Sequence, residues 1–287
     1  MMLSPTKALL AGFFFSALVP ISARADRLFV GGELLPLDSR ADGVVLEDLN
    51  GDARPDVVAI HATRGQVGVL IAGEGNRFEA PALYDVGLSP VVVLASGDFD
   101  GNARKDLLVV NSGSASVSLL LNRGDGTFAG VRSTLVGINP RTAGIADFNS
   151  DGVLDVVTSN LVASGQLNVL LGDGKGEFTM APSVDVGDNA HSLVVEDFDG
   201  DGRPDVAVAH TLTLSFFSSK GDGTFEPDRP LKLNKLNPRA LTSGDFTGDG
   251  KPDLAAFLDD GNLLFLVNGD AAGFQARILL IQDRRLT

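Results

Sequence analysis

The sequence predicts an all-β protein, a β-propeller of about five four-stranded blades, and three observations carry this prediction. An acidic nine-residue loop recurs five times, with first aspartates 50, 49, 50 and 48 residues apart. Short Val- and Leu-rich runs flank each loop, and 34 glycines supply turns between them. No stretch after the first 25 residues has the periodicity of an amphipathic helix. A repeat of this length, built from four short strands, is typical of a propeller blade.

Residues 1–25 are expected to form a cleavable secretory signal peptide. Lys7 precedes the apolar run 8–19, and Ala23-Arg24-Ala25 supplies the small residues of a cleavage site. A membrane anchor is the alternative, but a run of about a dozen apolar residues is shorter than the roughly 20 needed to cross a bilayer. We therefore expect a secreted or periplasmic protein that begins at Asp26 and has no stable membrane insertion.

The charge of the mature chain narrows the classes of partner. Without the signal peptide it has 21 basic and 37 acidic residues, a formal charge of −16, and sixteen of the carboxylates lie in the five loops. Nucleic acid is therefore not an expected partner, because its recognition relies on clustered Lys and Arg. The chain contains no cysteine, so its stability must come from packing and metal rather than from disulfides.

The fourth acidic loop shows the chemistry of the repeat most clearly. Its four aspartates occupy loop positions 1, 3, 5 and 9, so alternate residues of a curled backbone turn their oxygens inward, and the peptide carbonyl at position 7 adds another. Calcium takes six to eight oxygen ligands. One such loop could be a solvated turn, but five in register favour metal binding, with up to five Ca²⁺ ions. The predicted metal ligands are Asp48, Asn50, Asp52 and Asp56; Asp98, Asp100, Asn102 and Asp106; Asp147, Asn149, Asp151 and Asp155; Asp197, Asp199, Asp201 and Asp205; and Asp245, Thr247, Asp249 and Asp253.

The second repeat illustrates the strands of a blade. Strands are predicted at Val91–Ser96 and Asp106–Val110 on either side of the acidic loop, then at Val117–Leu121 and near Ser133–Val136. The propeller is predicted over residues 26–287, with repeats near 38–84, 85–134, 135–184, 185–231 and 232–281.

A glycine-phenylalanine turn follows each acidic loop. The glycines permit the positive φ of a tight hairpin, and the phenylalanine is predicted to be a core residue that packs on a neighbouring blade. The five turns contain Gly75 and Phe78, Gly126 and Phe128, Gly176 and Phe178, Gly223 and Phe225, and Gly273 and Phe274.

An Asp-x-Asp-x-Asp-Gly-x-x-Asp loop with Gly-x-Gly-x-Phe downstream resembles the FG-GAP/VCBS repeat, the unit also found in integrin α-subunit propellers. The resemblance covers roughly residues 35–274. It implies that each loop joins the two inner strands of a blade and binds calcium through the five ligand sets above. The chain departs from the pattern at Ala53 and Ala103, which replace glycine at position 6, and at Thr247, which replaces an acid at position 3.

The closure of the ring is left open by the sequence. Only five blades can be counted, whereas integrin-like members of the family usually have seven. Residues 27–37 and 277–281 both have the pattern of an outer strand, and one of them is expected to close the ring.

Arg141, His191 and Arg239 occupy the same place in three repeats, at the start of the inner strand. They are predicted to surround the channel mouth opposite the acidic loops, where they could bind an anionic ligand. An ordinary solvated rim is the alternative. His61 and His210 are predicted to be turn residues that end a strand.

No nucleophile elbow, phosphate-binding loop or zinc-type His/Glu cluster occurs in the sequence, so an enzyme is not expected. The predicted function is that of an exported calcium-binding propeller acting as a protein-binding or adhesion scaffold. A lectin-like glycan binder is the first alternative, although the chain has no tryptophan and only one tyrosine, Tyr84, for stacking on sugars. A secreted hydrolase or lyase is the second. The partner is thus expected to be a protein or glycan outside the cytoplasm, and the sequence predicts no oligomeric state.

Overall fold

The computed structural model describes residues 27–30, 33–36, 41–75, 77–226, 230–233, 236–269 and 274–279. Every regular element in these ranges is a β-strand, as the sequence predicts. Within them there is no helix of the length and hydropathy needed to cross a membrane. The signal peptide predicted at residues 1–25 lies outside the described residues.

A two-stranded hairpin comes first in the described chain. It pairs β1 (Arg27–Val30) with β2 (Glu33–Pro36) in antiparallel register. Among the described residues these strands pair only with each other. The sequence left open which of residues 27–37 and 277–281 supplies an outer strand. In the described residues it is the carboxyl-terminal segment, since Phe274–Leu279 pairs with Leu263–Asn268 at the edge of the fifth sheet.

Five antiparallel sheets follow in chain order, one for each acidic loop. Their strands are β3 (Gly43–Glu47), β4 (Asp56–His61), β5 (Gln66–Leu70) and β6 (Ala82–Asp85); β7 (Pro90–Gly97), β8 (Asp106–Asn111), β9 (Ser116–Leu120) and β10 (Arg132–Leu135); β11 (Pro140–Ala146), β12 (Asp155–Asn160), β13 (Gly165–Gly172), β14 (Phe178–Met180) and β15 (Val184–Gly187); β16 (Ser192–Glu196), β17 (Asp205–His210), β18 (Thr213–Phe217) and β19 (Leu231–Lys232); and β20 (Pro238–Gly244), β21 (Asp253–Leu258), β22 (Leu263–Asn268) and β23 (Phe274–Leu279).

Four of the sheets have four strands that pair in the order of the chain. The third has five, because the eight-residue strand β13 pairs with β14 near one end and with β15 near the other. In the second sheet, the predicted strands agree with β7 to β10 to within one residue at each end.

The second strand of each of the three middle sheets lies between two neighbouring sheets. All six residues of β4, β8, β12 and β17 are buried. This explains why the four central residues of β4, β8 and β17 are all apolar rather than alternating; β12 differs in having Thr158 and Ser159 among them. Successive side chains point to opposite faces. We call the face toward the following sheet the forward face and the face toward the preceding sheet the rear face. Val58 and Ile60 of the first sheet, for example, point forward onto Leu107 and Val109 of the second.

The sheets are stacked through their inner strands. β3 contacts β7, β7 contacts β11, β11 contacts β16 and β16 contacts β20. Each contact encloses its own apolar cluster, which gives four inter-sheet layers. A fifth buried cluster, of Val57, Ala59 and Leu70, lies on the rear face of the first sheet. In the described residues, no packing of comparable extent joins β20 back to β3.

The glycine-phenylalanine turns of the second, third and fourth sheets dock on the preceding sheet. The N–H of Gly176 donates to the carbonyl of Phe99 at 3.1 Å, and the N–H of Gly223 donates to the carbonyl of Phe148 at 2.9 Å. A Cβ on Gly126 would lie 2.2 Å from Ile71 Cδ1. Glycine is therefore required at this point of the turn by close approach as well as by its positive φ.

The phenylalanines of these turns pack edge to face on aromatic residues. The ring of Phe178 lies 5.9 Å from that of Phe99, and the ring of Phe225 lies 5.7 Å from that of Phe148, a geometry that favours aromatic pairs. Phe128 and Phe225 are buried, whereas Phe78 and Phe178 are half-buried. Packing on a neighbouring sheet is thus observed for Phe128, Phe178 and Phe225, whereas Phe78 packs against Val57, Ala59 and Leu70 of its own sheet. The side chain of Phe274 lies outside the described residues.

Candidate functional site

Each acidic loop joins the inner strand of a sheet to its second strand, and its backbone is left-handed at positions 4 and 6. At position 6 the φ angles are 63° at Ala53 and 62° at Ala103, against 83° to 85° at the glycines of the other three loops. These two turns curl the loop so that its amide N–H groups face the carboxylate at position 1.

The position 1 aspartate organises the loop backbone. In the fourth loop, Oδ1 of Asp197 accepts hydrogen bonds from the N–H groups of Gly200 at 2.8 Å and Asp201 at 3.1 Å, and Oδ2 accepts one from Gly202 at 2.8 Å. Two or three of these bonds recur at Asp48, Asp98, Asp147 and Asp245. The loops are thus folded around an anionic group by their own backbone.

The position 9 aspartate fastens the loop to the third strand. Asp205 is buried, its Oδ2 accepts the N–H of Phe198 at 3.1 Å, and its Oδ1 accepts the N–H of Ser219 at 2.9 Å, just after β18. The same pair of bonds occurs at Asp56, Asp106, Asp155 and Asp253. Sequence reasoning assigned these residues only to metal binding and missed this structural role.

Burial makes the position 9 carboxylates harder to ionise. It raises the pKa of Asp106, Asp155 and Asp205 to about 6; backbone N–H donors partly offset the rise, and neighbouring loop aspartates add to it. Burial also raises the pKa of Asp56. A cation beside these groups would favour their ionised form.

Two of the loops bring three carboxylates close together. One oxygen from each of Asp98, Asp100 and Asp106 lies within 4.8 Å of the others, and the same holds for Asp197, Asp199 and Asp205. The first, third and fifth loops have Asn50, Asn149 or Thr247 at position 3, so an uncharged oxygen takes the place of the third carboxylate there.

Arginine at position 7 competes for the position 5 carboxylate in two loops. Arg54 Nη2 lies 2.6 Å from Asp52 Oδ2, which also accepts a bond from Asn50 Nδ2 at 2.9 Å. In the fourth loop the distance from Arg203 Nη1 to Asp201 Oδ2 is longer, 3.5 Å. A metal ion would therefore meet stronger competition in the first loop than in the fourth.

The donor sets fit a hard cation. Carboxylate, amide and hydroxyl oxygens occupy positions 1, 3, 5 and 9 of every loop, and no histidine or cysteine does. All-oxygen sets of this kind suit Ca²⁺ or Mg²⁺ rather than zinc, and the variable third ligand suits the more flexible coordination of Ca²⁺.

The structure also brings together the three residues predicted at the channel mouth, which we call the Arg–His cluster (Arg141, His191 and Arg239). His191 Nε2 lies 3.3 Å from Arg239 Nη1, and Arg239 Nη2 lies 3.6 Å from Asp259 Oδ2. The pKa of His191 is lowered, chiefly by burial and further by the positive charges of Arg239 and Arg141. The negative charge of Asp259 partly offsets this effect. The cluster lies at the starts of β11, β16 and β20, at the other end of these strands from the acidic loops.

His61 and His210 are the last residues of β4 and β17, as predicted, but both are buried rather than exposed in turns. Neither ring nitrogen of His210 has a hydrogen-bond partner among the described residues, and burial lowers its pKa to about 4. Sequence position alone could not show that this side chain is buried, since the neighbouring Gly187 belongs to β15 of the preceding sheet.

Two glutamates next to the loops were missed by the sequence analysis. Glu47 accepts a hydrogen bond from Ser96 Oγ at 2.5 Å and is paired with Lys105, and Glu196 accepts one from Ser243 Oγ at 2.9 Å. In both cases the serine belongs to the following sheet. The sequence carried a signal for this pairing. Glutamate stands directly before the acidic loop only in the first and fourth repeats, and in both cases the following repeat has serine two residues before its own loop.

Comparison with solved structures shows what this fold is similar to. An Agrocybe aegerita lectin, whose structure concerns recognition of non-reducing terminal N-acetylglucosamine, is 21% identical with a TM-score of 0.56, over 83% of this chain and 65% of that chain. BBS1N in complex with ARL6DN is 13% identical with a TM-score of 0.59, over 83% and 68%. A functionally unknown protein from Desulfotomaculum acetoxidans is 14% identical with a TM-score of 0.59, over 86% and 78%. The chain thus spans about two thirds of the length of the lectin and BBS1N chains that it matches.

Sequence comparison identifies the repeat itself. No curated protein matches the chain. The model of the FG-GAP-like repeat matches four overlapping stretches, residues 48–109, 98–158, 147–208 and 197–256, each of which begins at the first aspartate of an acidic loop. Together they cover more than half of the sequence, so the chain belongs to the FG-GAP-like repeat family.

Proposed function

We propose that the chain is an exported, calcium-binding β-propeller that acts as a protein-binding or adhesion scaffold. The Arg–His cluster is the observation that carries the binding role. It concentrates two exposed arginines and a histidine on three neighbouring strands of a chain whose formal charge is −14. Convergent polar groups on a rigid scaffold are typical of binding sites, and this charge suits an acidic partner surface.

Binding is tested by capture from the extracellular or periplasmic fraction on the immobilised protein, with calcium present. The double variant Arg141→Ala/Arg239→Ala should lose the captured partner. The matched control, Arg77→Ala/Arg123→Ala, removes the same charge from two exposed arginines elsewhere and should retain it. Equal capture by both double variants would contradict the assignment of the site.

Calcium has a structural role in this proposal. The residues at positions 1, 3, 5 and 9 of each loop, with the carbonyl at position 7, would hold one ion. Bound there, the ion would supply positive charge that offsets the repulsion among the loop carboxylates. Isothermal titration of the metal-free protein with CaCl₂ tests this, and the absence of any calcium-dependent heat would refute it.

Export is the third part of the proposal, and it rests on the pattern of residues 1–25. Mass spectrometry of the protein recovered outside the cytoplasm should show an amino terminus at Asp26. A protein that retains Met1 in the membrane fraction would contradict it.

A glycan is the second candidate partner, favoured by the fold shared with the Agrocybe aegerita lectin. A glycan array probed in calcium separates the two candidates, because a protein-binding scaffold should leave every spot, including terminal N-acetylglucosamine, at background.

A further inference from the structure

The three side chains of the Arg–His cluster come from three successive sheets, and hydrogen bonds hold their spacing. Arg141 and Arg239 are the second residues of β11 and β20, and His191 directly precedes β16, which contacts both of those strands. Ser192 Oγ accepts the N–H of Leu241, in the next sheet, at 3.1 Å. The histidine therefore lies between the two arginines on a fixed part of the fold.

Arg239 sets the protonation state of His191. Its Nη1 lies 3.3 Å from His191 Nε2. Because a guanidinium group can only donate, Nε2 is the acceptor, so the imidazole is neutral and its proton is on Nδ1. The lowered pKa of His191, due to burial and then to the two arginines, agrees with this geometry. In this state the cluster thus carries two positive charges rather than three.

The charged and titratable groups around His191 leave it in a positive field. Two arginines oppose its protonation, one carboxylate favours it, and a buried histidine of its own sheet, itself influenced by a further carboxylate, interacts with it. In that order these groups are Arg141 and Arg239, Asp259, His210 and Asp188. Burial lowers the pKa of His210 to about 4, so this ring stays neutral when His191 titrates. An anion placed at the arginines would therefore favour the protonated form of His191.

Asp259 shows how a carboxylate fits the cluster. Its Oδ2 lies 3.6 Å from Arg239 Nη2 and accepts a hydrogen bond from Asn237 Nδ2 at 2.8 Å. Arg141 is paired with no carboxylate among the described residues. Both guanidinium groups are exposed, so a carboxylate of another molecule can reach Arg141 and the remaining donors of Arg239.

A polypeptide is the favoured source of that carboxylate. Sugar rings commonly stack on tryptophan and tyrosine, but the chain has no tryptophan, and the ring of its one tyrosine, Tyr84, packs on Phe128 at 5.5 Å. An acidic side chain of a protein needs only the charged donors that the cluster offers.

Building on the binding role proposed above, we propose that the Arg–His cluster binds carboxylate groups of a partner protein and that His191 takes up a proton from solvent when it does so. The bound carboxylate supplies the negative charge that the imidazolium needs. Once protonated, Nε2 no longer accepts from Arg239, and both groups can donate to the carboxylate. Binding therefore tightens as the pH falls through the range in which the bound form holds the proton and the free form does not.

The probe is a synthetic peptide of about eight residues in which glutamate and alanine alternate, blocked at both ends. Isothermal titration of the protein in calcium, from about pH 8 to about pH 5.5, covers the range in which histidine titrates while glutamate stays ionised. The Kd should fall by up to about tenfold per pH unit, the limit for one proton. Titrations in two buffers of different ionisation enthalpy should show proton uptake directly. The same peptide with glutamine for glutamate should not bind.

His191→Gln identifies the group that takes up the proton. Glutamine Oε1 can accept from Arg239, as the neutral imidazole does, but it does not titrate, so the proton uptake should disappear. The buried loop carboxylates are common to the variant and the wild type, so their titration cancels in this comparison.

Asp259→Asn removes the carboxylate that competes for Arg239 and keeps an acceptor for Asn237. The affinity for the glutamate peptide should rise about twofold to fivefold, as expected for the release of one exposed ion pair, and a misfolded variant could not show such a gain. Asp260→Asn is the matched control, because it removes the same charge from the next residue of the same turn, and it should bind like the wild type.

A glutamate peptide that fails to bind at every pH would overturn the proposal. Binding by the wild type without proton uptake would overturn it as well, as would uptake that persists in His191→Gln. The binding role itself would survive each of these results if partner capture still depends on Arg141 and Arg239, and it would fall only with that dependence.

Discussion

Replacing Ala53 and Ala103 with glycine is expected to stabilise the protein. Their φ angles of 63° and 62° are left-handed, a conformation that costs a residue with a Cβ about 1–2 kcal/mol. Glycine adopts it freely but gives the unfolded chain more freedom, which offsets about 0.4–1 kcal/mol of the gain. The net increase in the free energy of unfolding is ~0.5–1 kcal/mol per site, or ~1–2 kcal/mol for the double variant if the two loops are independent.

Thermal unfolding followed by circular dichroism at constant calcium concentration measures this gain. In a domain of this size, 1 kcal/mol shifts the Tm by about 2–4 °C, so the double variant should melt roughly 2–8 °C above the wild type. Ala80→Gly is the control, because Ala80 is exposed and its φ is not positive, and it should lower the Tm. A double variant that melts lower than the wild type, as the control does, would refute the strain argument.

Four further predictions concern metal, charge and pH. Chelation should lower the free energy of unfolding by about 7 kcal/mol, since five sites with a Kd of ~10⁻⁴ M each contribute about 1.4 kcal/mol at ~1 mM calcium; a Tm indifferent to calcium would refute the metal assignment. Asp201→Ala should cost more calcium-dependent stability than Asp52→Ala, because the fourth loop has four carboxylates and two glycines; the reverse order would refute this ranking. Below pH ~6.5 the unfolded state binds a proton at His210 that the folded state refuses until pH ~4, so the contribution of this residue to stability should fall by about 3 kcal/mol in acid, opposite in sign to that of Asp106, Asp155 and Asp205; the free energy of unfolding of His210→Asn should therefore fall less, or rise more, than that of the wild type as the pH is lowered in denaturant titrations. The double variant Arg141→Ala/Arg239→Ala should melt at the wild-type Tm, because both side chains are exposed; a marked loss would make the cluster a structural element.

Local chemistry explains what could be predicted from the sequence. The strands around the second loop follow from apolar runs bounded by turn residues, and the left-handed backbone at Ala53 and Ala103 follows from the glycines at the same position in the other loops. The inward position of Phe128 and Phe225 follows from their place after tight turns. Each of these features depends on residues close together in the sequence.

The features that escaped prediction depend on partners far along the chain. Asp205 bonds the N–H of Ser219, and only the register of β17 with β18 brings these residues together. His210 is buried beside Gly187, the last residue of β15 in the preceding sheet, which is 23 residues earlier in the chain. Phe246 and Phe99 are the same residue type at the same loop position, so the sequence does not show that Phe246 is exposed and Phe99 is buried. The difference arises because, in the described residues, a following sheet packs on Phe99 and none packs on Phe246.

The bonds from each turn to the preceding loop give the stack a direction. The carbonyl at position 2 of a loop accepts a hydrogen bond from the following sheet, as that of Phe148 does from the N–H of Gly223. The N–H of the same residue donates to the position 9 aspartate of its own loop, as that of Phe148 does to Asp155. A disturbance that opens one loop would thus reach the next sheet along the chain directly. Because such a bond is lost by both of its partners, the opening of a loop and the opening of the next sheet favour each other, and in a stack where each unit depends mainly on its neighbours unfolding should spread between adjacent sheets.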